Sequence, residues 1–397
     1  MPPLALYLHL PFCRRRCSYC DFNAYRDPGP EFQESYYQAL LQDLEQEGKR
    51  GRPRVGTVFL GGGTPSLVPP DWIHRILEAC HRAFRVDEGA EITMEANPGT
   101  LRPRALARIR AAGVNRLSFG VQALDDGLLR GLERVHSAAE ARRAVEEARE
   151  AGFDNLNLDL MYGLPGQDLR AWESTVEQAM ALAPEHLAVY ALILEEGTPM
   201  EARVRRGDLE LPDADAVAEM EALLRRTLRP RGYRQYEISN WSLPGRECRH
   251  NLVYWANGEY AGLGCGAVSY REGWRFRRLL HPVLYAAALR AGRSPVVEAE
   301  RLGTEAAVKD TLILALRTRR GVDLRRAGRR HRVGAHRLAR FFDTLPPGLV
   351  RRKGPRVRLT ARGRDVANEV FVRLLETALT LPEPPVLPFL TVPSGEC

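Results

Sequence analysis

Up to residue 235 the chain alternates short apolar runs rich in β-branched residues with longer stretches whose apolar positions recur at helical spacing. This is the rhythm of repeated β-α units, which assemble as parallel sheets with helices packed against them. The short runs predict strands over Leu4–Leu10, Val55–Leu60, Glu91–Glu95, Arg116–Val121, Asn155–Leu160 and His186–Leu192. The periodic stretches predict helices over Glu31–Glu47, Pro70–Phe84, Arg102–Ala111, Ala138–Ala151, Leu169–Leu182 and Ala214–Leu228. Six such units make a curved sheet, either an incomplete barrel or a doubly wound one. Polar and glycine-rich residues follow or close the strands: Cys13, Cys17 and Cys20 the first, Gly61 to Thr64 the second, Glu95 and Asn97 the third, Gln122 the fourth, Asp159 and Tyr162 the fifth. The carboxyl ends of parallel strands open onto one mouth, so one pocket could hold them all.

The pattern breaks after residue 235. A segment dense in Trp, Tyr, His and Gly, around RHNLVYWANGEYAGLGCGAVSY, reads as loops with a short strand or two. Beyond residue 300, helices are predicted at Ala306–Leu316 and Val333–Phe342, a hairpin at Leu349–Arg352 and Arg356–Leu359, and a last helix at Ala361–Leu379. That order resembles a small winged-helix-like domain. Residues 381–397 are proline-rich and read as an extended tail.

With 397 residues the chain exceeds one ordinary domain, and 44% hydrophobic against 27% charged residues excludes disorder and leaves ample material for a core. No apolar run approaches the ~18 residues of a membrane span, and MPPLALYLHLPF lacks the basic start and small-residue cleavage site of a secretory signal. A cytoplasmic protein is expected. The net charge is +8, but Arg271–Arg364 holds 25 Lys/Arg and 7 Asp/Glu, a local +18, so the rest of the chain carries −10. Only three of the 58 basic residues are lysines (Lys49, Lys309 and Lys353), a skew that genome base composition explains. The other reading of the basic region is an anionic partner gripped by guanidinium.

Seven cysteines, three of them within eight residues, suit a metal site better than a disulfide framework. In PFCRRRCSYC, Cys13, Cys17 and Cys20 are spaced by three residues and then two. Three thiolates so close can hold three corners of a [4Fe-4S] cluster and leave one iron free to bind something else. A zinc site is the alternative, with His9 as a fourth ligand.

With Tyr19 immediately before the last of these cysteines and GGGTPS closing the second strand, the chain resembles the radical S-adenosylmethionine superfamily. There the open iron is chelated by the amino and carboxylate groups of S-adenosyl-L-methionine, and glycines let the backbone approach that amino group. The ordered motifs YLHLPFC, FLGGGTPS, EANP, LSFGVQ, RVHS, NLDLMYGLPGQ and HNLVYW narrow the resemblance to the oxygen-independent coproporphyrinogen III oxidase family, over most of residues 7–255. It implies an α/β fold: an incomplete (β/α)6 radical SAM barrel over residues 1–235, a connecting segment over 236–300 carrying a haem motif, and the family's small winged-helix-like domain over 301–380. It also implies S-adenosylmethionine contacts at Tyr7, Tyr19, Gly63, Thr64, Glu95, Gln122, Arg134 and Asp159. Glu95, Gln122 and Asp159 supply acceptors for ammonium and ribose hydroxyls, and Arg134 can pair with the methionyl carboxylate.

Two departures set this chain apart from the decarboxylating enzymes of the family. Those carry a further cysteine two residues after the third, where this chain has Phe22, and an N-terminal extension that this sequence lacks. CDF together with HNxxYW resembles instead the branch of the family that binds haem and acts as a haem chaperone. That resemblance implies haem as a ligand, His250 as its candidate axial ligand, and Tyr254 and Trp255 as flat faces for the macrocycle, with Cys248 a weaker second ligand. Haem would pass to an acceptor such as a respiratory haem protein, and a homodimer could form. The rival reading is oxidative decarboxylation of coproporphyrinogen III. Nucleic acid is not an expected partner on this resemblance; the basic C-terminal part would grip haem propionates or an acidic acceptor.

Overall fold

In the computed structural model of the protein, which describes residues 2–49 and 51–379, the opening apolar run forms strand β1 (Leu4–Leu10), buried at every position except Tyr7. Burial of both faces is what a parallel strand covered by helices requires. A short pair of strands, β2 (Phe12–Cys13) and β3 (Tyr25–Arg26), brackets the cysteine loop. The chain continues as helix α1 (Pro30–Gly48), strand β4 (Arg54–Gly62), helix α2 (Pro70–Ala83), strand β5 (Arg85–Ala96), helix α3 (Pro103–Ala111) and strand β6 (Arg116–Gln122). Helices α4 (Asp126–Gly131) and α5 (Ala138–Glu150), strand β7 (Leu156–Tyr162), helix α6 (Leu169–Ala181) and strand β8 (His186–Ala191) follow. Strands β1, β4, β5, β6, β7 and β8 lie side by side in chain order, all parallel.

Local signals set the helix starts. Proline occupies the first turn of α1, α2 and α3, where no N–H is needed. Ser137 and Glu140 close a capping box on α5, and Asp168 accepts from the Ala171 N–H at the start of α6. Helix α2 buries Ile73, Ile76, Leu77 and Cys80, a stripe at helical spacing. Each such aliphatic side chain contributes about 1.5–3 kcal/mol on burial, so the layers are held by area rather than by any one contact.

After β8 the rhythm changes. Helices α7 (Pro199–Arg205) and α8 (Ala214–Leu228) lead to β9 (Arg234–Gln235) and β10 (Asn240–Ser242), which runs antiparallel to β8. Helix α9 (Arg249–Trp255) then precedes β11 (Tyr260–Leu263), which pairs parallel with β1 at the opposite edge. Strands β12 (Val268–Arg271) and β13 (Trp274–Arg278), helix α10 (Pro282–Arg290) and strand β14 (Val296–Arg301) extend that edge. The result is one twelve-stranded sheet in the order β14-β13-β12-β11-β1-β4-β5-β6-β7-β8-β10-β9. The expectation of loops with a short strand or two after residue 235 is thereby corrected. The strands there run only two to six residues and are separated by glycine-rich turns, so a two-residue period hardly shows. Gly262 illustrates why: a side chain on it would come within 2.1 Å of the Val268 carbonyl oxygen. A buried ion pair fixes this edge, with Arg278 donating to both carboxylate oxygens of Asp43 on α1 (2.8 and 3.1 Å) and Tyr285 of α10 donating to one of them (2.8 Å).

The chain divides into two units, Met1–Glu300 and Arg301–Cys397. The second contains α11 (Thr304–Arg317), β15 (Val322–Asp323), α12 (Leu324–His331), α13 (Ala335–Asp343), β16 (Val350–Lys353), β17 (Arg356–Leu359), α14 (Ala361–Asp365) and α15 (Ala367–Glu376), with its three strands in the order β15-β17-β16. Helix α12 was not expected, because Leu324 is the one large apolar residue of LRRAGRRH and the rest of its buried stripe is Ala327 and Gly328, too small to stand out in the sequence. The single last helix expected over Ala361–Leu379 is two, broken at Val366, whose backbone (φ −116°, ψ 31°) is not helical. The proline-rich tail over 381–397 lies outside the described residues. Among the described residues no helix is long and apolar enough to cross a membrane.

Candidate functional site

The loop between β1 and α1 carries the three cysteines, and the turn after β4 is laid directly on it. Gly63 N–H donates to the Leu10 carbonyl and Thr64 N–H to the Phe12 carbonyl, both at 2.9 Å. A side chain at Gly63 would meet the Pro11 carbonyl carbon and oxygen at 2.6 Å, so only glycine allows this approach. The glycine turn thus serves the cysteine loop first; toward an ammonium group only its carbonyl oxygens can act, since they accept where N–H groups cannot. Two side chains reach the sulfurs. Thr64 Oγ1 donates to Cys13 Sγ and Arg134 Nη1 to Cys17 Sγ, each at 3.3 Å. Asn97 ties the two together, donating to Thr64 Oγ1 (3.2 Å) and accepting from Arg134 Nη2 (2.7 Å), which also donates to the Gly120 carbonyl. Arg134 Nε remains buried without a partner.

The neighbouring strand ends bring two carboxyl groups into the same wall. Burial pushes Glu95 up to about 7; the charge of Asp159 adds to this, and the Gly62 N–H it accepts at 3.0 Å opposes it. Burial likewise pushes Asp159 up to about 6, against the amide of Asn157 (2.7 Å) and the charges of Arg116 and Arg134. A bound cation would supply the counter-charge that Glu95 lacks. Gln122 ends β6 with φ at 67°, in the left-handed region, an uncommon conformation for a residue with a side chain.

Ten residues expected at the site line one cleft of about 680 Å³: Cys13, Cys17, Cys20, Tyr19, Gly63, Thr64, Glu95, Gln122, Arg134 and Asp159. Tyr7 does not line it; it lines an adjoining pocket of about 600 Å³ with His9, Phe22, Asn23 and Gly266–Val268. The two cavities share Phe22, Gly62 and Glu95. His9 Nε2 donates to the Asn23 carbonyl (2.9 Å), which leaves Nδ1 to accept from Tyr7 Oη (2.9 Å). Both its ring nitrogens are thus engaged, and it lines the adjoining pocket rather than the cleft that holds the sulfurs.

His250 lines neither of these two cavities. It sits on α9, buried, with Nδ1 bonded to Thr57 Oγ1 (2.9 Å) and Nε2 to Tyr254 Oη (3.0 Å). Burial, assisted by the charge of Arg116, pushes it down to about 3. An imidazole with both nitrogens engaged offers no lone pair to iron. Cys248 is buried too, pushed up to about 12 by burial, beside Glu91. The sequence reading passed over Ser118, Arg116 and Asn157, which stand behind the carboxylates. A signal existed: within otherwise apolar strands, Arg116, Ser118, Gly120 and Gln122 recur every second residue, as do Asn157 and Asp159, and so share one face.

The donor set fits a polynuclear iron–sulfur cluster: three soft sulfurs ring one cleft, two receive hydrogen bonds suited to thiolates, and an orphaned guanidinium nitrogen lies among them. Among the described residues no three His, Cys, Asp or Glu side chains converge on a single metal ion. A sulfur-lined cleft at the carboxyl ends of a parallel sheet belongs to the radical S-adenosylmethionine class, and the sequence profile of the Radical SAM superfamily matches residues 7–179. The solved coproporphyrinogen III oxidase HemN of Escherichia coli, described as a radical SAM enzyme, shares the fold with a TM-score of 0.81 over 94% of this chain and 90% of that one, at 23% identity. Sequence comparison narrows the class. The chain is 40% identical to the haem chaperone HemW of Mycobacterium tuberculosis over 94% of its own length and 95% of that protein's, and 36% identical to HemW of Bacillus subtilis over 92% and 97%. It belongs to the HemW family. A [4Fe-4S] cluster and S-adenosylmethionine are the cofactors that the radical SAM class implies.

Proposed function

We propose that the chain is a haem chaperone that holds a [4Fe-4S] cluster on Cys13, Cys17 and Cys20, binds S-adenosylmethionine in the cleft, and passes haem to an acceptor protein. When bound, the cluster supplies an iron with an open coordination site for the cofactor's amino and carboxylate groups. Thr64 donates to Cys13 Sγ and Arg134 to Cys17 Sγ, hydrogen bonds that cluster-ligating sulfurs accept; at Cys13 the Thr64 bond opposes burial, which pushes the thiol up. Glu95 and Asp159, both pushed up by burial, gain from a cation placed beside them and so favour a positively charged ligand. Arg134 has its Nη2 engaged by Asn97 and Gly120, and its Nε is the donor left for a carboxylate.

One observation carries the haem reading. Phe22, two residues after the last cysteine, holds its ring 63% exposed on the rim shared by the cleft and the adjoining pocket, and Val268 beside it is 37% exposed. A flat apolar macrocycle is the kind of ligand such a rim accommodates. Haem titration of the reconstituted protein under anaerobic conditions tests this. One haem per chain is expected, bound about tenfold more weakly by Phe22→Ser; no haem binding by the unaltered chain defeats the reading. The complete cofactor cleft also favours a second reading, radical decarboxylation of coproporphyrinogen III. An anaerobic assay with reductant, S-adenosylmethionine and that substrate separates the two, and no protoporphyrinogen is expected.

A further inference from the structure

The second unit carries a surface that the cofactor cleft does not explain. Between Arg317 and Arg364 stand 17 Lys/Arg and 2 Asp/Glu, a local +15 in a chain of net +8, so the remainder carries −7. Base composition accounts for arginine replacing lysine; it does not account for charge gathered in one segment while the rest of the chain is acidic. The fold arranges this charge. Helices α12 and α13 are joined by the short turn 332–334, and the β16–β17 hairpin follows, an order that places a helix and a two-stranded ribbon on the same small unit.

On α13, Leu338, Phe341 and Phe342 are buried, whereas Arg337 and Arg340, three residues apart on one face, are exposed. On the hairpin Arg351, Arg352, Lys353 and Arg358 are exposed as well. The register sets Arg351 directly opposite Arg358 and Lys353 directly opposite Arg356. Like charges in that position destabilise a hairpin. Asp323 lies 3.8 Å from Arg356, but among the described residues no carboxylate pairs with Arg337, Arg340, Arg351 or Arg358. Like charges facing one another without internal compensation are relieved when an external polyanion lies across them. The exposed large apolar side chains described in this unit, Val372 and Leu375, lie on α15, not on α13 or the hairpin. The charged face itself therefore offers neither a lipid layer nor a protein partner an apolar anchor, and a regularly charged polyphosphate is its fitting complement.

We infer that the second unit binds duplex nucleic acid through its phosphate backbone, using the Arg337–Arg340 face of α13 and the β16–β17 hairpin. This departs from the expectation drawn from family resemblance, and it is independent of the haem reading. The test is anisotropy titration of the full chain against a labelled DNA duplex of about 20 base pairs, at salt from about 50 to 200 mM. Binding is expected, with log K falling linearly in log salt. The double variant Arg337→Glu/Arg340→Glu should weaken it about tenfold or more and flatten the slope by about one to two. Arg351→Ala/Arg358→Ala should weaken binding while leaving the melting temperature unchanged or raised, because the opposed pair is gone. The control Arg205→Glu/Arg206→Glu, on α7 and just beyond it, should bind as the unaltered chain does. No binding at the lowest salt, an equal loss in the control, or capture by phosphatidylglycerol vesicles or polyglutamate in preference to the duplex would each overturn the inference.

Discussion

Two polar layers share the parallel strands and behave in opposite ways. On β5, Glu91 and Glu95 lie four residues apart on the same face. Glu91 is saturated: it accepts the N–H groups of Arg249 and His250 at 3.0 Å each and lies 3.6 Å from Cys248 Sγ, so it caps helix α9. Around it His250 engages Thr57 and Tyr254, while His186 engages Asn157 and Tyr236. Glu95 accepts a single N–H, from Gly62, and burial holds it up at about 7. Near it Arg134 keeps an unpartnered nitrogen. Polar residues inside a sheet are therefore not a site by themselves. What marks the site is unmet bonding capacity at residues that line a cleft, as at Glu95 and Arg134; Arg116 Nε and Thr93 Oγ1 are also buried without a partner but line neither cavity.

The comparison breaks first at Glu91. Glu91→Ala leaves two buried N–H groups without an acceptor and releases the end of α9, and should destabilise the protein by about 3–5 kcal/mol in urea unfolding. Glu95→Gln should cost under about 1 kcal/mol yet weaken S-adenosylmethionine binding about tenfold, since a neutral amide gives no counter-charge. Equal stability losses in the two variants would erase the distinction between the layers. His250 sharpens it next. His250→Ala should cost about 3 kcal/mol through lost packing and two lost hydrogen bonds, and His250→Gln should recover part of that because an amide both donates and accepts. Below their melting temperatures both variants should keep the haem absorption band of the unaltered chain. A band displaced alike in both would instead make His250 an iron ligand.

The six parallel strands were legible because each is an apolar run of ordinary length closed by chemistry-bearing residues, as at Cys13 to Cys20 and Gly61 to Thr64. The cleft was legible for the same reason, since strand ends converge whatever the exact closure of the sheet. The place of His250 was not. Its motif marks it as chemically able, but whether an imidazole is open to a ligand or locked between Thr57 and Tyr254 depends on α9 packing against β4, a contact between residues some 190 apart that no local pattern encodes. Helix α9 itself was hidden in a segment whose aromatic and glycine content masks any period. Tyr7 was expected at the cofactor on family resemblance alone; its hydroxyl turns to His9 and it lines the adjoining pocket.

A smaller effect reads the open layer by pH. Glu95 has its pKa raised in the folded state from 4.5 to about 7, so the stability its neutral form contributes is full below pH 4.5 and is lost as the pH rises through about 7. The change amounts to about 2–3 kcal/mol for this group. Urea midpoints of the cofactor-free protein between those limits should therefore fall further for the unaltered chain than for Glu95→Gln, and S-adenosylmethionine should remove most of the difference by pairing the carboxylate. Parallel curves for the two proteins would mean that Glu95 is already ionised and compensated, and that the layer is no less saturated than the one around Glu91.

The smallest expected change in stability is at Phe22. Its ring is 63% exposed, so Phe22→Ser removes little buried area, and the folding free energy should stay within about 0.5 kcal/mol. Truncation at a saturated position of the other layer, such as Glu91, would instead strand the N–H groups of Arg249 and His250 without an acceptor. An aromatic ring kept in water at the rim of two cavities contributes to binding rather than to folding, and the two quantities should separate in this variant as they do at no position near α9. Unchanged haem affinity alongside unchanged stability would leave the ring without a role and would move the macrocycle away from this rim.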